Sequence, residues 1–138
     1  MNFIIENEHD LIKKVFDELG EKLKAPFRVG LIGDLGAGKT TLVQGLLKKL
    51  GVSEPVTSPT FTICKSYETP SANFQHLDLY RYSKPSNAKE IEEYIEDDKF
   101  ITFVEWPENI DYPLNKYNAI IKIKNISESG REVEIICN

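Results

Sequence analysis

The 138-residue chain carries 17 basic and 22 acidic side chains, a formal net charge of −5, with 41% hydrophobic and 28% charged residues. That balance excludes a disordered chain and suits a single domain, residues 1–138, large enough to bury a core. The charge argues against a broad basic face for RNA or DNA, and no apolar run nears bilayer-spanning length or reads as a secretion signal, so a cytoplasmic, membrane-free protein is expected.

Residues 2–5 read as an edge strand. Asn7 then resembles a helix cap, with Asp10 at the third helical position and Leu11, Val15, Phe16, Leu19 and Leu23 at helical spacing behind it. This helix should lay its apolar stripe on a sheet and stop near Lys24 and Pro26, leaving His9 at the surface.

The apolar run Phe27-Arg28-Val29-Gly30-Leu31-Ile32 reads as a short buried strand. Behind it, Gly33-Asp34-Leu35-Gly36-Ala37-Gly38-Lys39-Thr40 satisfies G-x-x-x-x-G-K-[ST] at each fixed position, a Walker A phosphate loop. Its glycines let successive backbone N–H groups turn inward round an anion. A helix from Lys39 to Leu50 follows, with Leu42, Leu46, Leu47 and Leu50 on one face, Lys48 and Lys49 at the carboxyl end and Gly51 as a stop. Phosphates would meet the helix amino terminus, Lys39 reaching the β- and γ-phosphates and Thr40 ligating Mg²⁺. The residues expected to touch the nucleotide here are Asp34, Gly36, Ala37, Gly38, Lys39, Thr40 and Thr41.

Residues 52–60, with two prolines, form an irregular loop whose hydroxyls on Thr57, Ser58 and Thr60 suit either a γ-phosphate-sensing switch or an ordinary turn-rich connection. A strand from Phe61 to Tyr67, a turn over 69–73 and a strand from Phe74 to Asp78 make an antiparallel hairpin. After a loop over 83–87, Asn87-Ala88-Lys89-Glu90 resembles a capping box. It opens a short helix to about Asp97, with Ile91, Tyr94 and Ile95 inward and Glu92, Glu93, Glu96, Asp97 and Asp98 solvated. The unbroken apolar run Phe100 to Val104 predicts a central strand ending at Glu105-Trp106-Pro107-Glu108, and Tyr117 to Lys124 with Glu132 to Cys137 predicts a second hairpin. Cys64 and Cys137 lack metal or disulfide spacing and read as small buried residues.

A phosphate loop needs acids at the ends of neighbouring strands to hold the Mg²⁺ shell and position water, and Asp78 and Glu105 both stand there. With Lys39 they are the candidate catalytic residues; with Thr40 they are the candidate metal ligands. His76 would share a face with Asp78 and either orient that carboxylate, assist proton transfer or serve structure alone. Arg81 suits phosphate charge or a partner, and Trp106 suits a nucleotide or the end of the sheet. Asn115-Lys116-Tyr117-Asn118 approaches the guanine-reading N-K-x-D pattern, but an amide cannot replace its carboxylate as a double acceptor, which favours ATP over GTP. Hydrolysis is favoured over a small-molecule kinase, because the chain shows no lid and has only three arginines.

The phosphate loop to Thr41, the T-S-P-T-F stretch at Thr57 to Phe61, the H-x-D-x-Y-R stretch at His76 to Arg81 and the E-W-P-E turn at Glu105 to Glu108, in this order, resemble the TsaE (YjeE) family. The resemblance implies a P-loop NTPase-like three-layer α/β fold with a mixed sheet, parallel at its centre and extended by antiparallel hairpins. It implies an Mg²⁺-dependent ATPase, weak alone, that supports the TsaB and TsaD proteins in forming threonylcarbamoyladenosine at position 37 of tRNA, with tRNA held mainly by those partners. By position, Lys39 and Thr40 would serve phosphate and Mg²⁺, Asp78 and Glu105 metal and water, and Thr60 and Trp106 the nucleotide-contacting loops. Lys84 to Ile91 depart from the acidic D-P-E-E-L-like stretch common in the family, which bears on partner contacts and leaves the nucleotide site untouched.

Overall fold

The structure, a computed structural model, describes residues 1–56, 63–82 and 89–138. Its elements are β1 (Asn2–Ile5), α1 (Glu8–Leu19), β2 (Phe27–Gly33), α2 (Lys39–Lys49), β3 (Cys64–Glu68), β4 (Asn73–Asp78), α3 (Lys89–Ile95), β5 (Ile101–Glu105), β6 (Ala119–Asn125) and β7 (Arg131–Cys137), with short 3₁₀ turns at Gly20–Lys22, Pro107–Asn109 and Leu114–Lys116. One seven-stranded sheet holds them in the order β1-β7-β6-β2-β5-β4-β3. β2 runs parallel to β5 and β6, and β4 parallel to β5. The outer pairs β3–β4, β6–β7 and β1–β7 are antiparallel. The mixed sheet, parallel at its centre, is therefore the one expected.

Local chemistry explains the boundaries. The Asn7 side chain accepts the Asp10 N–H at 2.9 Å and caps α1. Leu11, Val15 and Leu19 are buried, while Leu23 reaches the core past the helix, from beyond the Gly20–Lys22 turn. At the end of α2, Gly51 takes φ +104° and its N–H bonds the Lys48 carbonyl while that of Val52 bonds Leu47, closing the helix. α3 ends at Ile95, short of Asp97, and Tyr94 is exposed rather than inward, because Ile91 and Ile95 one turn apart set its buried stripe.

The sheet separates two apolar layers. On one face α1 and α2 pack Leu11, Val15, Leu42, Leu46 and Leu47 against Val29, Leu31, Phe103 and Ile121. On the other, Ile91 and Ile95 of α3 meet Leu77, Val104, Ile120 and Tyr117. Every residue of β5 is buried, as its unbroken apolar run requires. Fully buried leucines and isoleucines contribute roughly 1.5–3 kcal/mol each, which makes these two layers the main support of the framework that carries the loops. Neither cysteine is fully buried: Cys64 is half-buried and Cys137, at the end of the outer strand β7, is exposed. Among the described residues no helix is long and apolar enough to cross a membrane.

Candidate functional site

The three parallel strands β2, β5 and β4 end side by side, and the candidate residues gather on that edge. Register pairs Leu31 of β2 with Glu105 of β5, and Glu105 with Asp78 of β4. Backbone bonds carry the alignment past the strands: the Trp106 N–H donates to the Leu31 carbonyl at 3.2 Å and that of Leu79 to the Glu105 carbonyl at 3.0 Å. Two residues before each strand end the side chain points to the α2 face again, by the period of the pleat.

Between β2 and α2 the phosphate loop turns through Gly36 at φ +81° and Gly38 at φ +110°, a region L side chains rarely adopt. Gly38 caps α2 with no side chain in the way, so the first N–H groups of the helix stay open to an anion. Lys39 folds back over the loop. Its Nζ donates to the carbonyl of Gly33 and, at 3.1 Å, to that of Asp34, and lies 4.2 Å from the centroid of the Trp106 ring. The side chain is 4% exposed. Burial pulls its pKa down, against the opposing charges of Glu105, Glu108, Asp78 and Asp34.

Thr40 faces Glu105. Its hydroxyl lies 2.8 and 2.9 Å from the two carboxylate oxygens. His76 Nε2 stands 2.6 Å from Oε2 of the same group. The histidine thus meets Glu105 and not Asp78, although His76 and Asp78 lie on one face of β4; the carboxylate of the neighbouring strand is nearer than that of its own. Asp78 is half-buried, and its Oδ1 accepts the Tyr80 N–H at 3.0 Å. Burial pushes its carboxyl pKa up, the Tyr80 N–H pulls it down, and the Glu105 charge adds to the rise.

Trp106 takes φ +58° without being glycine, a strained conformation that costs of order 1–3 kcal/mol. The turn throws its ring over Lys39 and 5.2 Å from the ring of Tyr80. A cleft of about 280 Å³ opens between these parts, lined by Gly36, Gly38, Lys39, Thr40, Thr41, Asp78, Glu105, Trp106, Glu8, Leu35 and Tyr80. Thr60, Thr57 and Ser58 lie outside the described residues, as does Asn87. Arg81 is exposed and absent from the cleft lining.

The donors fit magnesium. Mg²⁺ is bound through one or two carboxylates and fills its octahedron with waters and substrate phosphates. One hydroxyl and two carboxylates beside a phosphate loop supply such a set, and among the described residues no group of three or more His, Cys, Asp or Glu makes a metal cage by itself.

The family model described as threonylcarbamoyl adenosine biosynthesis protein TsaE matches residues 6–133. The chain belongs to the TsaE family. A tRNA threonylcarbamoyladenosine biosynthesis protein TsaE from Nostoc is 41% identical over 121 residues, covering 85% of this chain and 74% of its own length. That of Aquifex aeolicus is 39% identical over 134 residues, covering 96% and 92%. A crystal structure of Bacillus subtilis YdiB matches the fold with a TM-score of 0.72 and 26% identity, over 99% of this chain and 84% of that one. The three-layer α/β architecture is thus shared, and the family's place is tRNA threonylcarbamoyladenosine biosynthesis.

One feature beside the cleft of this TsaE-family chain was invisible in the order of residues. Behind Gly36, Ala37 and Gly38 lies a second cavity of about 540 Å³, lined by Ile5 to His9, Leu11, Glu128, Ser129 and Arg131. Arg131 Nε donates to the Ala37 carbonyl at 3.3 Å, tying the β6–β7 hairpin to the phosphate loop across 94 positions of chain. The docking of that hairpin beside the loop is specified only by the sheet order. By contrast, Asn115 to Asn118 sit by the start of β2: the Asn118 side chain accepts the Arg28 N–H at 2.8 Å, at the opposite end of the strand from the phosphate loop.

Proposed function

We propose that the chain binds Mg·ATP in the cleft and hydrolyses it in support of the TsaB and TsaD proteins, which form threonylcarbamoyladenosine on tRNA. The observation that carries the reading is the contact of the Thr40 hydroxyl with Glu105, because it joins the phosphate-loop helix to the acid of the neighbouring strand. In this reading the loop N–H groups and Lys39 hold the phosphates, and Lys39 exchanges its carbonyl partners for phosphate oxygens. Thr40 and Glu105 would hold Mg²⁺, which when bound would supply charge stabilisation to the phosphates. Asp78, half-buried and open to the cleft, accepts a hydrogen bond from the attacking water. Water adds to the γ-phosphorus as the bond to the bridging oxygen breaks, leaving ADP and phosphate.

The second cavity, next to the loop and large enough for a nucleoside, takes the base and sugar. Nothing at Asn115–Asn118 reaches it, which supports ATP over GTP. Hydrolysis is supported over phosphoryl transfer to a small acceptor by the cleft lining, which holds no arginine among the described residues. Arg28 is engaged with the Ile95 carbonyl and Asp98, and Arg131 with backbone carbonyls.

The test is ATP turnover by the full chain, alone and with TsaB, TsaD and tRNA, beside a panel of small kinase acceptors. Stimulation by the complex is the expected result. Phosphate appearing on an acceptor, or full turnover by Lys39→Ala, overturns it.

A further inference from the structure

Glu105 is 3% exposed and His76 fully buried, so this carboxylate is out of water and needs donors for its oxygens. Among the described residues two side chains reach it, the Thr40 hydroxyl and His76 Nε2. Thr40 has one hydrogen and an oxygen that the nucleotide's cation also requires. His76 is the donor with no such second duty. Its Nδ1 has no partner among the described residues, so its whole polar capacity is aimed at Glu105. A side chain kept for packing alone would not leave a buried nitrogen unpaired, a cost that a leucine or phenylalanine avoids. The geometry is built into the sheet. His76 pairs in register with Phe103, two residues before Glu105, so its ring crosses to the neighbouring strand's end.

We propose that His76 is a positioning residue: its Nε2–H, bonded to Oε2, holds the Glu105 carboxylate against the Thr40 hydroxyl, and so sets the affinity for Mg²⁺ without touching metal or nucleotide. The inference rests on the reading of the cleft as an Mg·ATP site. Outer partners of metal-holding groups typically change metal affinity 10- to 100-fold when removed.

The experiment measures binding of a fluorescent ATP analogue to the full chain as Mg²⁺ is titrated, for wild type, His76→Leu, His76→Gln and His76→Asn. Thermal unfolding is recorded for each. Leu removes the donor, Gln keeps an N–H near the position of Nε2, and Asn carries its amide too short to reach. The expected result is a half-saturating Mg²⁺ concentration at least 10-fold higher in His76→Leu and His76→Asn, recovered to within about threefold in His76→Gln, with Mg²⁺-free nucleotide affinity unchanged in all four. If His76→Leu does not fold, the contrast between Gln and Asn decides. Equal Mg²⁺ requirements for Gln and Asn, or a Leu variant that tracks wild type, overturn the inference alone. A wild-type protein whose nucleotide binding ignores Mg²⁺ overturns the reading of the cleft and the inference with it.

Discussion

Asp78 shows how a single side chain is set against the fold that carries it. Burial raises its pKa, so the ionised form is disfavoured in the folded chain. The sign follows: stability linked to this group is fully present below its ordinary value of 3.8, falls as pH rises through the raised folded value, and is lowest at neutral pH. Asp78→Asn keeps an oxygen for the Tyr80 N–H and removes the charge. It should raise the melting temperature of the nucleotide-free protein at pH 7, with the difference shrinking as pH approaches 4, read by thermal scans across pH. The same variant should lose about 100-fold or more in turnover while still binding nucleotide. A stabilised but inactive protein is the signature of a functional acid. Glu105→Gln should instead weaken the Mg²⁺ dependence of nucleotide binding, measured by cation titration. Lys39→Ala removes the ammonium that the loop carbonyls hold and should abolish nucleotide binding in an equilibrium titration.

At the scale of elements, the phosphate loop depends on how closely α2 lies against α1. A Cβ at Gly45 would stand 2.4 and 2.6 Å from the Cδ1 and Cγ1 atoms of Ile12, so glycine is what lets the two helices approach. Gly45→Ala gains helix propensity, about 1 kcal/mol, but overpacks this seam at a cost of roughly 1–3 kcal/mol. The clash involves the body of Ile12 and not its tip alone, so a net loss of stability is expected, and the double variant Gly45→Ala with Ile12→Ala should recover part of it in denaturant unfolding. The order strand, loop, helix was legible because glycine spacing and apolar periodicity are local properties. The facing of Tyr94 was misjudged: Ile91 and Ile95, one turn apart, set the buried stripe of α3 and leave Tyr94 exposed.

Over the whole molecule, a ligand that binds only the folded chain stabilises it by mass action. ATP with Mg²⁺ at a hundredfold excess over its Kd should add about 2.7 kcal/mol to stability, seen as an upward thermal shift that Lys39→Ala abolishes. Hydrogen exchange should slow at Gly36 to Thr40 and, through the Arg131 bond to Ala37, at the β6–β7 turn. A shift confined to the phosphate loop would separate the hairpin from the nucleotide site. The net charge of −5 argues against nucleic acid held by a broad cationic face.

What the sequence determined by itself was the phosphate loop, the strand before it, the helix behind it, and two acids at strand ends, because each is written in neighbouring residues. Periodicity also marked the edge strand at residues 2–5, both hairpins and the buried run that became β5. Only the tertiary structure decided that His76 meets Glu105 and not Asp78, that Trp106 leans over Lys39, and that Arg131 backs the loop. The physical reason is the parallel sheet. Its strands, joined by long connections, bring Thr40, His76 and Glu105 within hydrogen-bond distance from three separate stretches of chain, and no local pattern records which of two nearby carboxylates a buried histidine will find.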